Sequence, residues 1–174
     1  MQSATYDGAK GQTHGQTHDR YLCFSLGPEE YAIPLLSVKE VIAMPAITPI
    51  PEAEKYFLGI MNLRGQVISV VDLRRKLSIT PSESSETAII ICDLGSNSIG
   101  VVVDAVNSVI NPEPDKISDK PELQSQRNTD YIHAVYREKD RLILLLEIFK
   151  ALSTKDHRTI ERATNSQGKE SHAA

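Results

Sequence analysis

At 174 residues, 40% of them hydrophobic and 24% charged, with a net charge of −4, the chain has the bulk profile of one soluble domain or two small ones packed together. The slight acidic excess offers no basic face to nucleic acid. Aromatics at 5%, with no Trp, leave Ile, Leu and Val to fill the core and exclude stacking platforms for bases or sugars.

In chain order, residues 1–18 hold almost no large apolar side chains and contain a tandem GQTHGQTH, which reads as a disordered arm. His14 and His18 lie four apart, but the neighbouring glycines argue against the helix that a metal pair would need. No metal and no cofactor is expected. The N-terminus lacks a charged segment followed by an apolar run, the mark of a secretory signal. No apolar run approaches the ~20 residues needed to cross a bilayer. The expectation is a cytoplasmic protein without membrane insertion, folded over 19–152. Residues 153–174 read as a polar tail in which Lys155 to Arg162 extend a helix before the end frays.

Within 19–152, strands are predicted near 20–26 and 30–34 around a GPEE turn. A helical turn is predicted at about 35–42, where Leu36, Val38, Val41 and Ile42 face inward and Lys39 and Glu40 outward. Pro45, Pro49 and Pro51 bar regular helix or central strand, and a short helix is predicted at 52–57. Strands at 58–62 and 66–73 then flank a turn containing Asn62, Leu63, Arg64 and Gly65, closing on Asp72. Further strands are predicted near 87–93, 98–104, 131–137 and 141–147, with a turn at 105–110. Cys23 and Cys92 sit in apolar runs and read as buried core thiols.

The chain repeats itself. Leu26-Gly27 recurs as Leu94-Gly95, Ile33 as Val101, Val38 as Val106, and Val41-Ile42 as Val109-Ile110, all at an offset of 68. Beyond the Pro- and Asp-rich connection 111–130 the offset becomes 75, matching Tyr56 to Tyr131, Ile60 to Val135, Asp72 to Glu147 and Leu77 to Leu152. The repeat boundary falls at 80–86. Short strands at this spacing indicate two small barrels, each marginal at ~60–70 residues and so expected to share an apolar interface.

The segments YLCFSLGPEEYAIPLLSVKEVI, FLGIMNLRGQVISVVDLRRKL and IGVVVDAVNSVI resemble the CheW family of chemotaxis coupling proteins, over about 20–152. The resemblance implies a mainly β fold of two tandem SH3-like five-stranded barrels with short helices and a C-terminal helix. It also implies a non-catalytic scaffold that couples chemoreceptors to the histidine kinase CheA. Its partners would be the kinase's CheW-like regulatory domain and the cytoplasmic tips of the receptors, placing it at receptor arrays. Carried onto this chain, the receptor-binding positions are Val38, Glu40, Gly59, Asn62, Leu63, Arg64, Gly65, Gly100 and Val106. No residue is assigned to the kinase-docking surface. Three positions depart from the pattern: Ser69 where a proline is common, His133 where a glycine usually precedes the last hairpin, and Glu147 for a frequent aspartate. The glycine would allow backbone approach or positive φ, so His133 predicts altered local geometry in the second barrel.

Arg64 is the central candidate, because a guanidinium on a rigid turn can bind a helix tip through bidentate or carbonyl hydrogen bonds. The second copy has Glu138, Lys139 and Asp140 in place of Leu63, Arg64 and Gly65, which marks the first turn as the specialised one. A purely local role, with Arg64 pairing to Asp72, stays open. So does a structural reading of Val38 as core and Glu40 as a solvated charge. Two other functions compete: an enzyme using Asp72, Asp93 and Asp104, and an adaptor of the same fold in another kinase pathway, such as surface motility or second-messenger control.

Overall fold

Two β-sheets carry the chain from Arg20 onward in the computed structural model, which describes residues 20–82, 84–95, 97–119 and 129–167. The arm 1–18 with its two histidines, and the last residues of the polar tail, lie outside the described residues. The strands are β1 (Tyr21–Leu26), β2 (Glu29–Pro34), β3 (Val38–Ala43), β4 (Phe57–Leu63), β5 (Gln66–Asp72), β6 (Ala88–Asp93), β7 (Ser98–Val103), β8 (Ala105–Ile110), β9 (Ile117–Asp119), β10 (Ile132–Glu138) and β11 (Arg141–Leu146). The helices are α1 (Leu73–Lys76), α2 (Ile148–Ala151) and α3 (Thr154–Gln167), with single 3-10 turns at Leu35–Ser37 and Pro114–Lys116.

The six-stranded sheet runs β8-β1-β2-β11-β10-β9 and the five-stranded sheet β3-β6-β7-β5-β4. Each lobe therefore takes its first hairpin from the other copy of the repeat: β1–β2 joins the second copy's strands, and β6–β7 joins the first's. The pairings obey the repeat, since β1 meets β8 as β6 meets β3, and β2 runs parallel to β11 as β7 does to β5. The isolated bridge Thr48↔Ile60 takes the place of the Ser118↔Val135 pairing, so the first copy has one bridge where the second has β9.

Period-two alternation sends one face of each strand into a lobe and the other into a shared core. Leu22, Phe24 and Leu26 of β1 join Ile90 and Cys92 of β6 in a cluster common to both sheets. Cys23 packs within the six-stranded lobe, and Ile89 and Ile91 within the five-stranded one. Each such side chain contributes about 1.5–3 kcal/mol on burial, and the shared apolar interface expected from the size of the copies is present.

Several local expectations are corrected. The segment 35–42 is a 3-10 turn followed by β3, and 105–110 is β8 rather than a turn. The cause is visible in the register: Val38 opposes Cys92 and Glu40 opposes Ile91, so Lys39 is bulged. The extra residue breaks the alternation and mimics helical spacing. No helix forms at 52–57, because β4 begins at Phe57. Within the repeat, His133 corresponds to Leu58. Both copies carry the same bulge, at Leu58 and at His133, so the counterpart of Gly59 is Ala134. His133 stacks on Tyr21 with ring centroids 6.4 Å apart, and its φ is not positive.

The helix α3 docks onto the first lobe. Ser153 and Asp156 form a reciprocal cap, with Ser153 Oγ accepting from the Asp156 N–H at 3.2 Å and Asp156 Oδ2 accepting from the Ser153 N–H at 2.6 Å. Tyr56 Oη and Lys76 Nζ also donate to the buried Asp156 carboxylate, each at 2.6 Å. Lys155 pairs with Glu54, and Ile160 enters the shared core.

Candidate functional site

The β4–β5 hairpin pairs Leu63 with Gln66, leaving Arg64 and Gly65 as a two-residue loop. Their φ values of 51° and 85° are those of a type I′ turn, whose twist suits a right-handed hairpin. Gly65 takes this conformation without cost, and its N–H donates to Asn62 Oδ1 at 2.8 Å. Arg64 carries a side chain in the same left-handed region. Lys139 does likewise at φ 55° in the second copy, so positive φ belongs to the shared hairpin and does not by itself mark the site.

The first hairpin carries a bidentate ion pair on the turn itself, whereas in the second hairpin the arginine paired with a glutamate, Arg141 with Glu30 at 2.9 Å, stands on β11 beyond the turn. Arg64 Nη1 and Nη2 donate to Glu40 Oε1 and Oε2, both at 2.8 Å. Glu40 lies on β3 and Arg64 follows β4, the two outermost strands of their sheet, so the pair spans its two edges. The Arg64 side chain remains 77% exposed, against 25% for Glu40. A pair this exposed adds at most about 1 kcal/mol to stability and is screened by salt. Its contribution to the fold is therefore small.

The local alternative for Arg64 is thereby corrected: its partner is Glu40, and Asp72 is engaged elsewhere. Glu40, Asn62, Leu63, Arg64 and Gly65 come together at one end of the five-stranded lobe. Leu63 packs partly into that lobe's core, and Val38, at the start of β3, packs against the shared core. Two of the expected glycines are interior. A Cβ on Gly59 (φ 138°) would lie 2.0 Å from the Thr48 carbonyl oxygen, so this position is glycine because another backbone crosses it. Gly100 lies under Ile89, whose Cγ2 a Cβ would meet at 2.9 Å. Val106 is on β8 of the other sheet, opposite Phe24, and packs on the shared core.

The three aspartates considered for catalysis do not form one cluster. Asp93 accepts from the Gly95 N–H at 3.0 Å and pairs with Lys39 at 3.4 Å. Asp72 caps α1 by accepting from the Arg74 N–H at 3.0 Å, and also receives Arg74 Nε and Nη2 at 3.0 and 2.9 Å. Arg74 Nη1 reaches Asp104 at 2.8 Å, which in turn accepts from the Gly27 N–H at 2.7 Å and Ser82 Oγ at 3.0 Å. The Asp72 hydrogen bonds hold the Arg74 guanidinium above its ordinary value despite burial. For Asp104, burial pushes upward, but the Arg74, Gly27 and Ser82 hydrogen bonds outweigh it and hold the carboxyl below its ordinary value. A buried aspartate held as a hydrogen-bonded anion, as Asp104 is, is poorly placed to exchange protons at neutral pH. Among the described residues, no group of three His, Cys, Asp or Glu side chains is arranged to hold a metal.

Residues 20–156 match the profile of the CheW-like domain. The chain belongs to the CheW-like family. It is 30% identical over 164 residues to the chemotaxis protein CheW of Klebsiella aerogenes, covering 94% of this chain and 97% of that one. With the Bacillus subtilis chemotaxis protein CheW the identity is 33% over 134 residues, covering 76% and 85% of the two chains. The solved scaffolding protein TtCheW from Thermoanaerobacter tengcongensis superimposes with a TM-score of 0.68 at 31% identity, over 74% of this chain and 88% of that one. The mainly β, two-lobed SH3-like architecture is thus that of the CheW-like family. Sequence reasoning missed the docking of α3, although Ser153-x-x-Asp156 is a legible capping signal. It also missed Arg74, whose partners lie two and thirty residues away.

Proposed function

We propose that this protein is a chemotaxis coupling adaptor, a non-catalytic scaffold that links chemoreceptors to the histidine kinase CheA. It acts in the cytoplasm, held at membrane receptor arrays by its partners; among the described residues no helix is long and apolar enough to cross a membrane. The observation that carries the site is the exposed Arg64–Glu40 pair on a rigid hairpin, which adds little to stability.

Glu40 takes two of the guanidinium N–H groups and fixes the plane of the fork. The remaining donors face solvent and suit backbone carbonyls or a carboxylate at the tip of a receptor helix. Because the side chain is already ordered, less conformational entropy is lost on binding. Val41 on β3 and Met44 just beyond it are exposed apolar side chains on the same segment as Glu40, available to the helix's apolar stripe. Gly59 and Gly100 support this surface from within, so their substitution would act through the fold. The regulatory domain of CheA is the second partner, at a surface distinct from the Arg64 turn.

The test is co-sedimentation of the purified protein with receptor-containing membranes and CheA, together with capture by the isolated kinase regulatory domain. A receptor-dependent ternary assembly is expected. Failure to bind the regulatory domain would transfer the protein to another kinase pathway.

A further inference from the structure

Asp104 stands where the chain leaves β7 of the five-stranded sheet for β8 of the six-stranded one. It faces both lobes. Its Oδ2 accepts from the Gly27 N–H at 2.7 Å and its own N–H donates to the Ser25 carbonyl at 3.1 Å, both on the β1–β2 hairpin of the second lobe. Its Oδ1 accepts from Arg74 Nη1 at 2.8 Å, and Arg74 follows β5 of the first lobe. Arg74 donates in addition to the Ser82 carbonyl at 3.1 Å and to Asp72. One buried guanidinium and two buried carboxylates therefore join the lobes at this crossover.

The repeat supplies an internal control. Offsets of 75 and 68 carry Asp72 onto Glu147, Arg74 onto Phe149, Asp104 onto Leu36 and Gly27 onto Gly95. The matching parallel pairs, β5 with β7 and β11 with β2, put α2 and the 3-10 turn at the strand ends that correspond to those of Arg74 and Asp104. The charged network is not repeated there. Leu36 is 93% exposed and Phe149 58% exposed. Phe149 rests on the His157 ring, with centroids 4.1 Å apart, and Glu147 pairs with Lys150 of α2 at 2.8 Å.

We propose that Asp72–Arg74–Asp104 is a latch that sets the angle between the two lobes at this crossover. The Leu36–Phe149 side is held differently, by α3 carrying Asp156 onto Tyr56 and Lys76 of the first lobe. Apolar contact across the shared core drives association of the lobes but is non-directional. A buried charge network returns little net stability once desolvation is counted, yet any displacement leaves a charge buried and unpaired, so it penalises every other angle. Arg74 is thus a positioning residue. It fixes where Val106 on the second lobe sits relative to the Arg64 turn on the first. The inference rests on this geometry and is independent of what binds Arg64.

The test places spin labels on the full chain at Gln66→Cys and Asp140→Cys, exposed positions at the hairpin ends of the two lobes. Cys23 and Cys92 are fully buried and stay unlabelled. Pulsed electron paramagnetic resonance then gives the inter-lobe distance distribution, with thermal unfolding followed on the same samples. In Arg74→Met and Asp104→Asn the distribution is expected to broaden, with a displaced minor population rising about ten-fold over the parent. Arg74→Lys, which keeps the charge but loses the fork, should fall between the parent and these two variants. If Arg74→Met does not fold, Asp104→Asn and Arg74→Lys decide by the same readout. A lowered unfolding midpoint with an unchanged distance distribution would assign the network to stability alone and overturn the latch.

Discussion

Replacing Gly59 by Ala should unfold the first lobe's edge rather than alter a binding surface. At φ 138° the new Cβ would lie 2.0 Å from Thr48 O, 2.7 Å from its carbonyl carbon and 2.8 Å from Pro49 Cα. All three are backbone atoms, so no side chain can rotate away. The Thr48 segment must move off β4, which breaks the two hydrogen bonds of the bridge: Thr48 N–H to Ile60 O at 2.8 Å and Ile60 N–H to Thr48 O at 2.9 Å. Losing these costs about 1 kcal/mol each, and an L side chain in this region of φ adds about 1–3 kcal/mol. The sum is about 4 kcal/mol, which for a chain of this size lowers the unfolding midpoint by about 8–16 °C. Denaturant and thermal unfolding followed by circular dichroism measure it. A loss below about 1 kcal/mol would show that the Thr48 crossing does not constrain Gly59, and would return this position to the surface. Gly100→Ala is the comparison: its clash at 2.9 Å is with a side-chain atom, the Cγ2 of Ile89, and its φ lies outside the left-handed region, so a smaller loss than at Gly59 is expected.

Acid should destabilise the protein through Asp104 and Asp156, both held below the ordinary value of 3.8 by hydrogen bonds that outweigh burial. A depressed carboxyl contributes stability above its unfolded pKa and loses it as pH falls through the folded one. The unfolding midpoint should therefore hold steady down to about pH 4 and drop below it. Asp156→Asn should lower the midpoint at neutral pH and flatten the acid limb, and an acid limb of unchanged steepness would refute this assignment. The thiols should be inert in the native state, because burial pushes Cys23 up to about 11 and Cys92 up to about 12. A thiol reagent at pH 8 should label neither until denaturant is added, and rapid labelling of either would contradict the packing described.

The central strands of both lobes were legible because short runs rich in Ile, Val and Leu, bounded by turn residues, suit strands buried on both faces, and the internal repeat cross-checked them. Strands β3 and β8 were not, since bulges at Lys39 and Asn107 break their alternation, and the three-residue β9 lay hidden in the connection 111–130. The hairpin exchange between copies was hidden for a different reason. A repeat shows which segments correspond, but not whether β1 pairs within its own half or with β8. At the site, the Arg64 turn could be read from Leu63-Arg64-Gly65 between two apolar runs, yet its partner Glu40 is 24 residues away across a closed lobe. Gly59 and Gly100 were assigned to a surface, and the structure places them beneath it. Their glycine identity reports close approach of Thr48 and Ile89, which no local pattern reveals.

The central claim is that the Arg64 turn meets a chemoreceptor while another surface meets the kinase. Its most direct test is the affinity of Arg64→Ala for a receptor-tip fragment and for the CheA regulatory domain, measured side by side with the thermal unfolding midpoint. The account predicts a receptor affinity lower by at least about 2 kcal/mol, roughly 30-fold, with kinase-domain binding unchanged and stability altered by less than about 1 kcal/mol. Unchanged receptor binding in a folded Arg64→Ala protein would contradict it.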